Sequence, residues 1–111
     1  MTQDEVEAFA LGLSATSKVI QWGASDVYKV GGKVFAICGE GTISFKVSDI
    51  GFLALTEGGP GRQAPYCAKG QWANVPLDAL PRGELQDWLK TAHDLIAAKL
   101  TRKARAELGL A

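Results

Sequence analysis

This sequence of 111 residues has a single histidine, two cysteines, no net charge and no long apolar run. The histidine, His93, has no second imidazole with which to share a metal. Cys38 and Cys67 form neither a Cys-x-x-Cys pair nor a zinc-ligand spacing, so no metal site is expected. No apolar stretch approaches the roughly 20 residues that a bilayer span needs, which argues against a membrane partner. The first residues do not read as a secretory leader, so a cytoplasmic protein with two reduced, buried or half-buried thiols is expected. Gly-x-Ser-x-Gly, a dinucleotide fingerprint and a phosphate loop are all missing. Gly31-Gly32-Lys33 lacks the Ser or Thr and the helix that a phosphate loop requires. The acids are scattered, and Glu84 and Asp87 read as a solvated pair on one helix face. No catalytic residue, no cofactor and no enzyme activity are expected, and a lone helical histidine such as His93 is expected at the surface or its boundary. Twelve basic residues balance twelve acidic ones. The zero balance therefore counts against bulk attraction to nucleic acid, although it does not exclude a local patch.

What is present is the make-up of one folded domain spanning residues 1–111: 47% hydrophobic and 22% charged, without repeats or a linker. Folding a chain of this size removes roughly 65% of its surface from water, enough for one core without staples. Residues 2–13 predict a helix. Thr2 and Glu5 have the capping-box spacing, and Val6, Phe9, Ala10 and Leu13 form one stripe. Beyond residue 18 the period changes to two. Val19 to Trp22, Val27 to Val30, Lys33 to Cys38 and Thr42 to Val47 read as strands of an antiparallel meander. Gly31-Gly32 suits a type I′ hairpin turn, and Gly39-Glu40-Gly41 marks a second break. In the last of these strands Ile43, Phe45 and Val47 face one way, and Ser44 and Lys46 the other.

Ser48 or Asp49 can cap a short helix over about residues 49–56, with Ile50, Leu53 and Ala54 inward. Glu57 to Pro65 is rich in glycine and proline and reads as a loop. Trp72 to Leu77 predicts another strand. Pro81 stands at a first helical position, and Leu85, Trp88, Leu89, Ala92, Leu95, Ile96 and Leu100 give the cleanest stripe in the chain. Strands grouped between terminal helices specify an α+β fold, an antiparallel sheet with the N- and C-terminal helices packed on one face. Trp22, Trp72 and Trp88 are expected in the core, and Tyr66 is the aromatic expected to be most exposed.

Charge is unevenly distributed along the chain. Asp4, Glu5 and Glu7 give residues 1–17 a net −3, whereas Lys99, Arg102, Lys103 and Arg105 against Glu107 give residues 99–111 a net +3. A basic last turn complements a helix dipole. It can equally form a phosphate-contacting patch that releases counterions on binding.

Trp22-Gly23, Tyr28-Lys29-Val30-Gly31-Gly32-Lys33-Val34-Phe35-Ala36 and the Ile43 to Val47 strand resemble the MmcQ/YjbR family. The likeness runs on through Ala64-Pro65-Tyr66-Cys67-Ala68-Lys69, Trp72, Pro76 to Pro81 with Glu84-Leu85, and Ala98 to Lys103, so that it covers about residues 8–108. The resemblance implies a CyaY/frataxin-like fold, described as a double-wing DNA-binding motif whose wings are β-hairpins. It further implies that Lys33, Lys46 and Lys69 lie near a nucleic-acid face.

Two functions follow as expectations. One is a DNA-binding module of modest, largely sequence-independent affinity, holding the backbone through Lys33, Lys69, Arg102, Lys103 and Arg105, as a monomer or weak homodimer. The other is a protein adaptor or small-ligand-binding domain, with loop 57–65 and Tyr66 as the rim of a cleft against the sheet. Convergence of the basic residues on one face separates them.

Overall fold

A computed structural model describes residues 1–21 and 23–110. The capping box expected at the start forms. The Thr2 hydroxyl accepts from the Glu5 amide, the Glu5 carboxylate accepts from the Thr2 amide, and helix α1 (Gln3–Leu11) follows, burying Val6 and Ala10. Among the described residues six strands then build one antiparallel sheet: β1 (Thr16–Gln21), β2 (Ser25–Val30), β3 (Lys33–Gly39), β4 (Thr42–Lys46), β5 (Arg62–Gln63) and β6 (Trp72–Pro76). Their spatial order is β1-β2-β3-β4-β6-β5. Helices α2 (Asp49–Thr56), α3 (Arg82–Ala97) and α4 (Arg102–Glu107) complete the chain. The fold is α+β, as expected.

The β2–β3 turn is primed, with Gly31 at φ +56° and Gly32 at φ +83°. The β3–β4 turn uses the same left-handed geometry but places Glu40 (φ +55°) ahead of Gly41. Pairing shifts between Tyr28 and Lys29, where Phe35 has no partner across the ladder. This bulge turns Phe35 to the same side as Ala36, so both are fully buried under the helices. There Phe35 meets Tyr28 and His93, and with Ile43, Phe45, Val75, Leu85 and Leu89 it forms the core.

Four expectations about packing are corrected. Helix α2 buries Gly51 and Leu55, while Ile50 is 81% and Leu53 50% exposed. The bare Gly51 backbone lies directly on the Trp88 ring, where a Cβ would come within 3.0 Å, and this close approach selects the glycine face. The segment 57–65 is not wholly a loop, because Arg62 and Gln63 pair with Asn74 and Ala73 as a short edge strand. Trp72 is half-buried on the face away from the helices, since Ala73 and Val75 take the inward positions of β6. Trp88, by contrast, is half-buried but packs against the core as expected, with its ring 6.1 Å from that of Phe45. The core placement expected for Trp22 lies outside the described residues.

His93 is the fourth correction. It is 3% exposed rather than at the surface. Its Nε2–H donates to the Ser14 carbonyl at 2.7 Å, Nδ1 lies 3.0 Å from Asp94, and the ring stands edge-on to Phe35. One imidazole thus ties α3 to the segment joining α1 and β1.

A basic end and a cleft on the sheet

The registers put several chain segments at one end of the sheet. Val30 pairs with Lys33 across the β2–β3 turn, and Lys46 at the end of β4 pairs with Trp72 at the start of β6. The C-terminal end of α3 reaches the same place, because Leu100 and Leu108 pack directly beneath Gly31. Helix α4 is held there by Thr101, whose hydroxyl accepts from the Ala104 amide. Lys69 sits on a tight turn, closed by the Gln71 amide donating to Ala68, which leads into β6. Lys33, Lys69, Arg102, Lys103 and Arg105 are therefore brought to one end, together with Lys99.

Within that cluster the side chains differ. Lys33, Lys69, Lys99, Arg102 and Lys103 are exposed. Arg105 is half-buried, and its Nε is buried with no hydrogen-bond partner among the described residues. Lys46 is not a free contact. It is 8% exposed and its ammonium donates to the Val47 carbonyl and to Gln71 Oε1. Burial, with the nearby Lys99 charge adding to it, lowers the Lys46 pKa, and only Asp49 opposes the shift.

The opposite end is acidic. Asp26 begins β2, Glu40 forms the β3–β4 turn, Asp78 follows β6 and Glu84 lies in the first turn of α3. Asp4 and Glu5 at the start of α1 join them, because Arg82 pairs with Glu5 and the Met1 ammonium donates to the Leu77 carbonyl. Charge is thus unevenly placed along the sheet, although Asp49 and Glu107 stand at the basic end and Arg82 at the acidic one.

A second feature lies on the sheet face turned away from the helices. Gln63 organises the segment after β5. Its Nε2 donates to the carbonyls of Ala64 and Cys67, and its Oε1 accepts from the Gly70 amide. The loop so tied folds over β4 and β6, which is why Ser44, Lys46 and Asn74 are buried although they point away from the core. Between this loop and the strands lies an open cleft of about 640 Å³, lined by Ser25, Ile37, Thr42 and Ser44 with Asn74 on the sheet side and by Pro65, Tyr66 and Cys67 on the loop side; Glu40 stands at its margin. Tyr66 is fully exposed, with a left-handed backbone (φ +61°) that an aromatic residue rarely adopts. Burial pushes the pKa of the half-buried Cys67 thiol up. Of the rim expected from loop 57–65 and Tyr66, Pro65 and Tyr66 line the cleft while residues 57–64 do not, and Gln63 is a residue that sequence reasoning missed. A glutamine in a polar loop carries no pattern that announces such a role.

Among the described residues no cluster of His, Cys, Asp or Glu is placed to hold a metal, and no helix is long and apolar enough to cross a membrane. The family model YjbR matches residues 11–95, a span that takes in the sheet and most of α3 but stops short of α4. In the crystal structure of the Deinococcus radiodurans protein DR2400, which carries a DUF419 domain, the same fold recurs with a TM-score of 0.89 at 24% identity. The alignment covers 99% of this chain and 89% of that one. A Pseudomonas syringae protein solved by a structural genomics consortium aligns with a TM-score of 0.73 at 17% identity, over 86% of this chain and 98% of the other. No curated protein matches the chain in sequence.

Proposed function

This chain belongs to the YjbR family, and on that premise we propose that it is a non-enzymatic DNA-binding module that grips the phosphate backbone with its basic end. The observation that carries this reading is the convergence of Lys33, Lys69, Lys99, Arg102 and Lys103, drawn from three separated stretches of a chain with no net charge. Ammonium and guanidinium groups on a turn, a loop and a short helix suit phosphates spaced along a strand. They offer no fixed array for reading base edges, so affinity is largely independent of sequence.

Such an end engages about two to four phosphates. The slope of log K against log salt is then about −2 to −4, with dissociation constants around 10⁻⁴–10⁻⁶ M near physiological salt. Fluorescence anisotropy with a labelled duplex at two salt concentrations tests this. The double reversal Arg102→Glu/Lys103→Glu should abolish binding and leave the melting curve in place, because both side chains are exposed. Arg105 is unsuited to that experiment, since its guanidinium is partly buried. Absence of binding to the duplex even in low salt would refute the proposal.

A further inference from the structure

The cleft under the Gln63-tied loop has a hydrogen-bonding arrangement that the fold itself does not use up. Asn74 is 4% exposed and both its donors are used: Nδ2 donates to Thr42 Oγ1 at 3.1 Å and to Ser44 Oγ at 2.9 Å, while Oδ1 accepts from Arg62 Nε at 3.2 Å. The Thr42 hydroxyl in turn donates to the Gly39 carbonyl. Ser44 accepts from Asn74, but its O–H has no acceptor among the described residues, although the residue is 8% exposed and lines the cleft. The Ser25 hydroxyl, on the same wall, likewise has no partner among the described residues. A buried donor with nothing to bond costs stability, so a floor of this kind favours a ligand that brings an acceptor.

The remaining walls narrow the class. Ile37 and Pro65 supply apolar surface and Tyr66 supplies a solvated aromatic ring at the mouth. A non-glycine residue in the left-handed region stores strain, and here it sets a wholly exposed aromatic side chain among the residues that line the cavity. The lining includes one acid, Glu40, and no base, and the guanidinium that reaches the lining residue Asn74, that of Arg62, is already engaged with its amide oxygen, so the walls offer no dedicated anion site.

We propose that the cleft binds a neutral planar heterocycle of the nucleobase kind. Its ring carbonyl accepts from the Ser44 hydroxyl and its face stacks on Tyr66. A free nucleoside and an unpaired base in a bound strand share this chemistry, and the site does not depend on the phosphate-binding reading.

Uridine, titrated into the labelled protein and followed by amide chemical shifts, tests the proposal. Saturable shifts are expected at Thr42 to Ser44, at Pro65 to Cys67 through their neighbours, and at Asn74. Tyr66→Ala should weaken uridine about five- to a hundredfold, as loss of one stacking partner does, and Tyr66→Phe should restore it. Because Tyr66 is wholly exposed, neither change should disturb folding. Uridine that fails to saturate, shifts that map elsewhere, or a Tyr66→Ala protein that binds as well as wild type would overturn the proposal. In a parallel titration with oligothymidylate at low salt, shifts at these same amides identify a base of the strand as the source. Shifts confined to Lys33, Lys69 and residues 99–105 identify the free nucleoside. The Arg102→Glu/Lys103→Glu protein should bind uridine unchanged, so a failure of DNA binding and a failure of this site are separately visible.

Discussion

At the scale of single residues, the groups that matter most are polar ones the fold has buried. His93→Ala should lower stability by about 2–4 kcal/mol, because it removes the bond to the Ser14 carbonyl and opens a cavity against Phe35. An unchanged thermal melt would show that the ring is dispensable. Cys38 makes a pH-dependent case. Burial, reinforced by the Asp26 charge, pushes its pKa from 9.0 to about 11. Its contribution to stability is intact below pH 9.0 and is lost between there and about 11, since over that window the unfolded chain releases a proton that the folded chain keeps. Urea midpoints across the window should fall less steeply for Cys38→Ala than for wild type, whereas parallel profiles would contradict the assignment. Burial of Cys38 and exposure of Tyr66 are both legible in the sequence, one from its place in an apolar strand and the other from its neighbouring proline. The burial of His93 and Lys46 is not legible. Each is covered by a segment distant in sequence, and side-chain periodicity reports only the face of its own element.

At the scale of elements, the hairpin and the last helix are mechanically joined. Gly31 and Gly32 both occupy the left-handed region, but only Gly31 has Leu100 and Leu108 against it, at 2.7 and 2.9 Å from where a Cβ would stand. Gly32→Ala should therefore cost about 1 kcal/mol of backbone strain and Gly31→Ala about 2–3 kcal/mol, as strain and overpacking add. Equal losses in urea denaturation would mean that α4 is not seated beneath the turn. The turn itself was readable, because a Gly-Gly pair between two β-rich runs has a local cause. The face of α2 was not. Counting apolar letters favoured Ile50 and Leu53, yet the contact that orients the helix is made by Gly51, a residue with no side chain to count. Strand β5 escaped notice for a related reason: two residues borrow their geometry from β6 and carry no strand pattern of their own.

At the scale of the whole molecule, strand order and register bring together charges that lie far apart in sequence, and this is why the α+β class could be read from the chain while the basic end needed the fold. The 16 residues of α3 alone hold the two ends about 24 Å apart, well beyond the 8–10 Å over which salt screens a charge at physiological strength. At neutral pH and low salt the protein should be retained by both cation- and anion-exchange resins, each holding its own end, although its net charge is zero. Passage through both without delay would show that the ends are too weak to act alone. A body charged in this way has a direction. In the field of a polyanion such a body would feel little net pull but a torque, turning α4 and the β2–β3 turn forward before contact. Orientation, rather than attraction, is what this distribution of charge supplies to an encounter.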